Sequence, residues 1–197
     1  MSFTTNRLFG LELELIVDKT KLFKALSDHN IPYVWFNKQR TPKQDVVVIK
    51  PEVTIKGVGG IEINFPPTFS FDLIEKVVMI LKTLPVSFSN RCALHVHVDV
   101  SDVKIGDLPL IKNYYLQHQE AIITAAKEHQ LYVKLNEPLT EEEPEHYQRR
   151  VNLNIKPSVM KHGTVEHRIY ATTLDLNKIQ FCIHQSVSIV NEALKAK

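Results

Sequence analysis

The run Cys92-Ala93-Leu94-His95-Val96-His97-Val98-Asp99-Val100 leaves this chain few choices of structure. Leu94, Val96 and Val98 alternate with His95, His97 and Asp99, and a period of two is that of a strand with one buried apolar face. The opposite face carries two imidazoles and a carboxylate, residue types that bind metals or move protons. Alone, the run fits a polar sheet face with two incidental histidines equally well. The same pattern on other strands decides between the two.

Four further stretches repeat it. Between Leu8 and Val17, Leu11, Leu13 and Leu15 point away from Glu12 and Glu14. Ile61, Ile63 and Phe65 back onto Glu62 and Asn64, and Pro66-Pro67 ends that strand. Val151 to Ile155 sets Asn152 and Asn154 on one side. Thr164 to Tyr170 sets Glu166 and Arg168 on one side, with Thr164 or Tyr170 beside them. Shorter strands are expected around Tyr33–Phe36 and Asp45–Ile49. Two glutamates at i, i+2 repel unless a cation, an arginine or water compensates. The shared polar face carries almost no lysine and little Thr or Ser, which is not how a solvated sheet face is built.

The helices supply the complement. Asp18 caps a short helix with Leu22, Phe23 and Leu26 on one stripe, and Ser70 caps one running to about Leu84. Asp107 opens a longer helix to about Glu128, and Asp175 caps the closing helix, which buries Ile179, Cys182, Ile183, Val187 and Val190. Amphipathic strands and helices in this order predict an α+β fold: a curved, mostly antiparallel sheet, helices on its outer face and a polar concave face opposite. With no repeat, low-complexity stretch or linker, residues 1–197 read as a single domain.

Other features take plain readings. Gly57-Val58-Gly59-Gly60 opens a strand and not a helix, so it reads as a turn and not a phosphate cradle. Glu141-Glu142-Glu143 reads as a solvated turn, His118 and His129 as surface histidines, and Cys92 and Cys182 as buried reduced thiols. At 44% hydrophobic and 23% charged residues, the composition is that of a soluble globular protein and excludes a disordered or fibrous one. No apolar run reaches the length of a membrane span, and the first residues lack an apolar signal core, so a cytoplasmic protein is expected. A net charge of +2 with scattered lysines argues against a nucleic-acid partner.

Clustered glutamates with a histidine suit hard divalent cations, Mg²⁺ or Mn²⁺, better than structural zinc, and such ions suit phosphate chemistry. In the order Phe9-Gly10-Leu11-Glu12-Leu13-Glu14, Gly60-Ile61-Glu62-Ile63-Asn64, Ala93-Leu94-His95-Val96-His97-Val98-Asp99 and Thr164-Val165-Glu166-His167-Arg168-Ile169, the strands resemble the amidoligase branch of the carboxylate–amine ligases. That branch belongs to the glutamine synthetase and glutamate–cysteine ligase superfamily. The resemblance spans about Phe9 to Asp175. It implies a sheet like that of the glutamine synthetase catalytic domain, curved around an ATP site with two or three metal ions.

By that resemblance Glu12, Glu14, Glu62, His95 and Glu166 are the metal ligands. His97, Arg168, Arg149 and Asn152 belong to the nucleotide site. Arg168, Glu62 and Arg150 act in catalysis, Arg168 on the transferred phosphoryl and Arg149 or Arg150 on phosphate or substrate carboxylate. The cofactors implied are ATP and Mg²⁺ or Mn²⁺. The reaction implied is formation of an acyl phosphate from a small-molecule or peptide carboxylate, then displacement of phosphate by an amine. The chain departs from the family pattern at Ala93-Leu94, where a glycine is common, and at His167, where the residue is usually apolar. It is also short, so parts of the adenine and amine sites are reduced or come from a second copy in a homo-oligomer. Two rival readings remain open: a metal-dependent hydrolase built on His95, His97 and Asp99, and a ligase-like fold kept as a non-catalytic binding module.

Overall fold

In the computed structural model, residues 4–36, 46–55, 59–131 and 152–195 are described. The long strand β1 (Thr4–Ile16) is followed by α1 (Lys19–Asp28), β2 (Tyr33–Trp35), β3 (Val47–Pro51), β4 (Gly60–Asn64) and β5 (Thr68–Ser70). Then come α2 (Asp72–Lys82), β6 (Ala93–Asp99), a 3-10 turn (Ile105–Asp107) and α3 (Leu108–Glu128). The chain closes with β7 (Leu153–Asn154), α4 (Lys156–His162), β8 (Thr164–Ala171) and α5 (Leu176–Lys195).

The described strands form one open sheet in the order β2-β3-β4-β1-β6-β8-β7, with β5 against β1. Every pairing is antiparallel except β2 with β3. The fold is therefore α+β with a largely antiparallel sheet, as the alternation predicts. Leu11, Leu13, Leu15, Ile61, Ile63, Leu94, Val96 and Val98 are fully or almost fully buried in one apolar core. They share that core with Leu22 and Leu26 of α1, Val77 and Leu81 of α2, and Ile179, Ile183 and Val190 of α5. Hydrophobic burial of this kind is the main stabilising term, and it also sets register: a one-residue slip of β6 would put His95 and His97 into the core.

The caps follow the sequence closely. The Asp18 carboxylate accepts from Lys21 N at 2.9 Å, and Asp175 Oδ1 accepts from Asn177 N at 2.9 Å. Ser70 instead ends β5, and its hydroxyl accepts from Asp72 N at 3.2 Å. Gly59 turns into β4 at φ +98°, which supports the turn reading of the glycine cluster over the part described. Both cysteines are buried free thiols. His118 and His129 are exposed on and after α3, as expected. No described helix is long and apolar enough to cross a membrane. The acidic run at 141–143 lies outside the described residues.

Three features differ from the sequence expectation. The strand expected over Val151–Ile155 is only Leu153–Asn154, because Ile155 turns into α4. That short helix has Pro in its first turn and ends at Gly163, whose φ of +68° is the left-handed C-cap conformation glycine adopts without strain. In β8 the pairing with β6 jumps from Val96↔His167 to Leu94↔Tyr170, so Arg168 and Ile169 together oppose His95. The bulge reverses the alternation beyond it. Tyr170 therefore faces α5, donating to Gln185 Oε1 at 2.8 Å with Ser186 Oγ at 3.2 Å, and does not join Glu166 and Arg168.

Candidate functional site

The register writes the site as three rows across the sheet. Lys50, Glu62 and Glu14 are successive partners on β3, β4 and β1. Val48, Asn64, Glu12 and His95 form the next row, and Gly10, His97, Glu166 and Asn154 the third. All lie on the face opposite the aliphatic core, because each alternates with a buried apolar neighbour. This polar face is not a solvated one: Glu14, Glu62, His95, Asn154 and Glu166 are each at most 6% exposed.

Among the described residues two sets of ligand-type atoms result, each with its donors within 4.8 Å of one another: Glu12, His95 and Glu166, and Glu14, Glu52 and Glu62. In the first, His95 Nδ1 lies 3.1 Å from Glu12 Oε2 and 3.6 Å from Glu166 Oε1. His97 Nε2 stands 3.4 Å from Glu12 Oε1, while its Nδ1 meets Thr164 Oγ1 at 3.1 Å. Thr164 is thus on the site face, one of the two positions the alternation left open. Glu166 is braced from both sides, by Arg168 Nη1 on Oε1 and by Asn154 Nδ2 on Oε2 at 2.8 Å. Bracing of this kind orients a ligand carboxylate and fixes which lone pairs face the site.

The second set has a different character. Glu14 Oε2 accepts from Ala93 N at 2.9 Å, which ties β1 to the start of β6. Lys50 Nζ lies 2.6 Å from Glu62 Oε1. Glu52 closes the group from the end of β3, its Oε1 accepting from Thr54 N at 2.8 Å.

The charges of this face are strongly perturbed. Burial pushes the Glu62 carboxyl up, reinforced by the Glu12 charge and offset by Lys50, to about 8. Burial also raises Glu14. For Glu12 burial pushes the same way, but hydrogen bonds from His95 and His97 outweigh it and hold that carboxyl well below its usual range. Glu166 is likewise buried yet lowered, by Arg168 and the two histidines. The His97 ring, which burial alone would make less basic, is raised by Glu12 and Glu166. Burial disfavours the Lys50 ammonium, yet Glu62, Glu12 and Glu52 raise it overall. These opposing shifts on adjacent carboxylates mark a charge cluster held by the fold against its own repulsion.

Of the residues expected to act here, Glu12, Glu14, Glu62, His95, His97, Glu166 and Arg168 do share one face. Asn152 is buried in the same strand line. Its backbone oxygen accepts from Arg168 N at 2.8 Å, and neither amide atom has a hydrogen-bond partner among the described residues. Arg149 and Arg150 lie outside the described residues. Asp99 is spent on a turn, accepting from Ser101 N at 3.2 Å and Ser101 Oγ at 3.0 Å. It belongs to neither ligand set.

Lys50 and Glu52 escaped the sequence reading, and Lys50 corrects the expectation of a face almost free of lysine. The signal was present: Val47 and Ile49 are buried, so Val48, Lys50 and Glu52 had to face the other way. His162 was missed with α4; its ring approaches that of His97, centroid to centroid, at 6.1 Å. His167, fully buried on the core side with its ring centre 6.2 Å from that of Tyr115, is pushed down by burial to about 3 and is neutral. That explains how a histidine stands where an apolar residue would serve.

A groove of about 340 Å³ opens from Glu12 and His97 toward the start of β1, lined also by Gly10, Phe65, Pro67 and His162. Glu12 joins this groove to the first ligand set. No family model and no curated protein matches this chain.

Proposed function

We propose that this protein is an ATP-dependent carboxylate–amine ligase that works through an acyl phosphate. The observation that carries the reading is the convergence of Glu12, His95 and Glu166 on one sheet face, with Arg168 held against Glu166. Two carboxylates and one imidazole fit Mg²⁺ or Mn²⁺, and the charge cluster calls for a cation. Glu12, His95 and Glu166 would hold that ion, whose chemistry when bound is to neutralise and orient phosphate oxygens.

This chain's residues would do the rest. The groove beside Glu12 and His97 takes the nucleotide, with the His97 ring, made more basic by its carboxylate neighbours, facing the phosphates. A substrate carboxylate oxygen attacks the γ-phosphorus, the bond from that phosphorus to the bridging oxygen breaks, and ADP leaves. The Arg168 guanidinium, already aligned by Glu166, binds the phosphoryl oxygens as charge shifts onto them. An amine nitrogen then attacks the acyl carbon, phosphate departs, and the amine loses a proton to give the amide. Acting in the cytoplasm on small-molecule or peptide substrates is part of the same proposal.

The hydrolase alternative needs Asp99 alongside the histidine pair, and Asp99 accepts from Ser101 and joins neither ligand set. The decisive experiment supplies Mg·ATP, a panel of carboxylates, and hydroxylamine as a small amine. ADP, phosphate and a hydroxamate should appear together and only with a carboxylate present. Arg168→Ala should lower turnover by roughly 10²–10³ while nucleotide binding changes far less, because the guanidinium acts on charge that develops in the transition state. Nucleotide binding without turnover on any carboxylate would favour the non-catalytic module. Absence of both nucleotide and metal binding would remove the reading.

A further inference from the structure

The two ligand sets on the polar face are not equivalent. In the Glu12–His95–Glu166 set one donor is an imidazole, and Arg168 grips Glu166 from β8 itself, at the rim. In the Glu14–Glu52–Glu62 set all donors are carboxylates, and an ammonium already sits on one of them, with Lys50 Nζ 2.6 Å from Glu62 Oε1. The register makes this contact inevitable. Lys50 is the direct cross-strand partner of Glu62, Glu62 that of Glu14, and Glu52 follows Lys50 by two residues on the same strand line. A lysine here places a positive charge among three crowded acidic side chains, without any ion from solution.

We propose that Lys50 is the resident cation of the Glu14–Glu52–Glu62 cluster, so that this protein binds one divalent ion tightly, at Glu12–His95–Glu166, and a second only weakly. The proposal rests on reading the Glu12 set as a metal centre and goes beyond it, because it sets the number of ions that the face accepts. A divalent ion entering the second set would have to take Glu62 Oε1 from Lys50 and sit beside its displaced ammonium. Both steps oppose binding, by the loss of the 2.6 Å Lys50–Glu62 contact and by like-charge repulsion across a half-buried site. Lys50 is about one-third exposed, so its side chain has room to swing outward. Weak binding of a second ion is therefore expected, not complete exclusion.

The experiment counts Mn²⁺ ions on the metal-free full-length chain, by calorimetric titration and by the loss of the free-Mn²⁺ resonance signal. Wild type should show one tight ion, and Lys50→Gln should show two, with the second bound at least tenfold more tightly than in wild type. Lys50→Arg, which keeps the charge, should return the count to one; melting curves of each variant identify any that fails to fold, and Lys50→Met, which keeps the stem without the charge and should also show two, takes the place of the glutamine variant if that one does. Glu12→Gln should leave no tight ion in the wild-type background and one in the Lys50→Gln background. Two tight ions on wild type, or a single ion on a folded Lys50→Gln variant, would overturn the role of Lys50 and leave the metal centre standing. No ion on any of the proteins would remove both readings.

Discussion

Glu12 and His95 are direct partners across β1 and β6, and their side chains meet at 3.1 Å between Oε2 and Nδ1. The contact couples two strands that are far apart in sequence and lies at the centre of the polar face. It also explains why the glutamates of this face differ. Glu12 has two imidazoles against it, whereas Glu62 is buried with the Glu12 charge raising it and Lys50 only partly offsetting this.

Mn²⁺ or Mg²⁺ should raise the melting temperature. A ligand at a hundred times its dissociation constant adds about 2.7 kcal/mol, which for a chain of this size is roughly 5–10 °C. Glu12→Gln should lose most of that shift. Without metal it should also melt slightly below wild type, because it gives up the carboxylate that accepts from His95 and faces the His97 ring. Thermal melts with and without Mn²⁺ check both, and equal shifts in the two proteins would count against Glu12 as a ligand.

The metal-free protein should lose stability as pH rises from about 4.5 to about 8. The folded chain holds the Glu62 proton up to about 8, whereas the unfolded chain releases it near the ordinary value of 4.5. Below the lower value both states are protonated and nothing is lost; between the two, folding becomes less favourable with each unit of pH. His97, raised above 6.5, acts in the same sense, since its charge stabilises fully below that value and is lost as pH climbs through the folded one. Glu12 and Glu166 act at the other end, contributing above 4.5 and losing that contribution as pH falls below it. Glu62→Gln should flatten much of this decline and stabilise the metal-free protein at pH 8. A variant profile parallel to that of wild type would show Glu62 ionised throughout.

Asn154→Ala should weaken Mn²⁺ binding by roughly tenfold to a hundredfold, through Glu166. Asn154 Nδ2 donates to Glu166 Oε2 at 2.8 Å in a buried setting, so its loss frees the carboxylate to rotate and strands an acceptor. The expected stability cost is about 1–3 kcal/mol. Titration of Mn²⁺ separates the two effects, and unchanged affinity would reduce Asn154 to a packing role.

Tyr170→Phe should do the opposite: lower stability by about 0.5–1.5 kcal/mol and leave Mn²⁺ affinity untouched. Its hydroxyl serves α5 on the core side of the β8 bulge, not the polar face. A change in metal affinity in this variant would mean that the bulge does not separate the two faces as described.

Much of this organisation is local, and local features are legible in a sequence. Alternation of Leu11, Leu13 and Leu15 with Glu12 and Glu14, or of Leu94, Val96 and Val98 with His95 and His97, determines which side chains share a face, because the pleat has period two and one face must leave water. The caps at Asp18 and Asp175 are equally local, since a carboxylate reaches amides two or three residues on. Only the tertiary structure decided the order β3-β4-β1-β6-β8, and with it that Lys50 stands beside Glu62 and Glu12 beside His95. Register between strands distant in the chain depends on how the buried faces interlock, which no single strand encodes. The bulge at Arg168–Ile169 is of the same kind: it exists relative to β6, and it sends Tyr170 to the core while Glu166 and Arg168 stay at the site. Burial then turned glutamates of ordinary acidity into groups with opposite shifts, because desolvation and neighbouring charge belong to the assembled face and not to any residue on it.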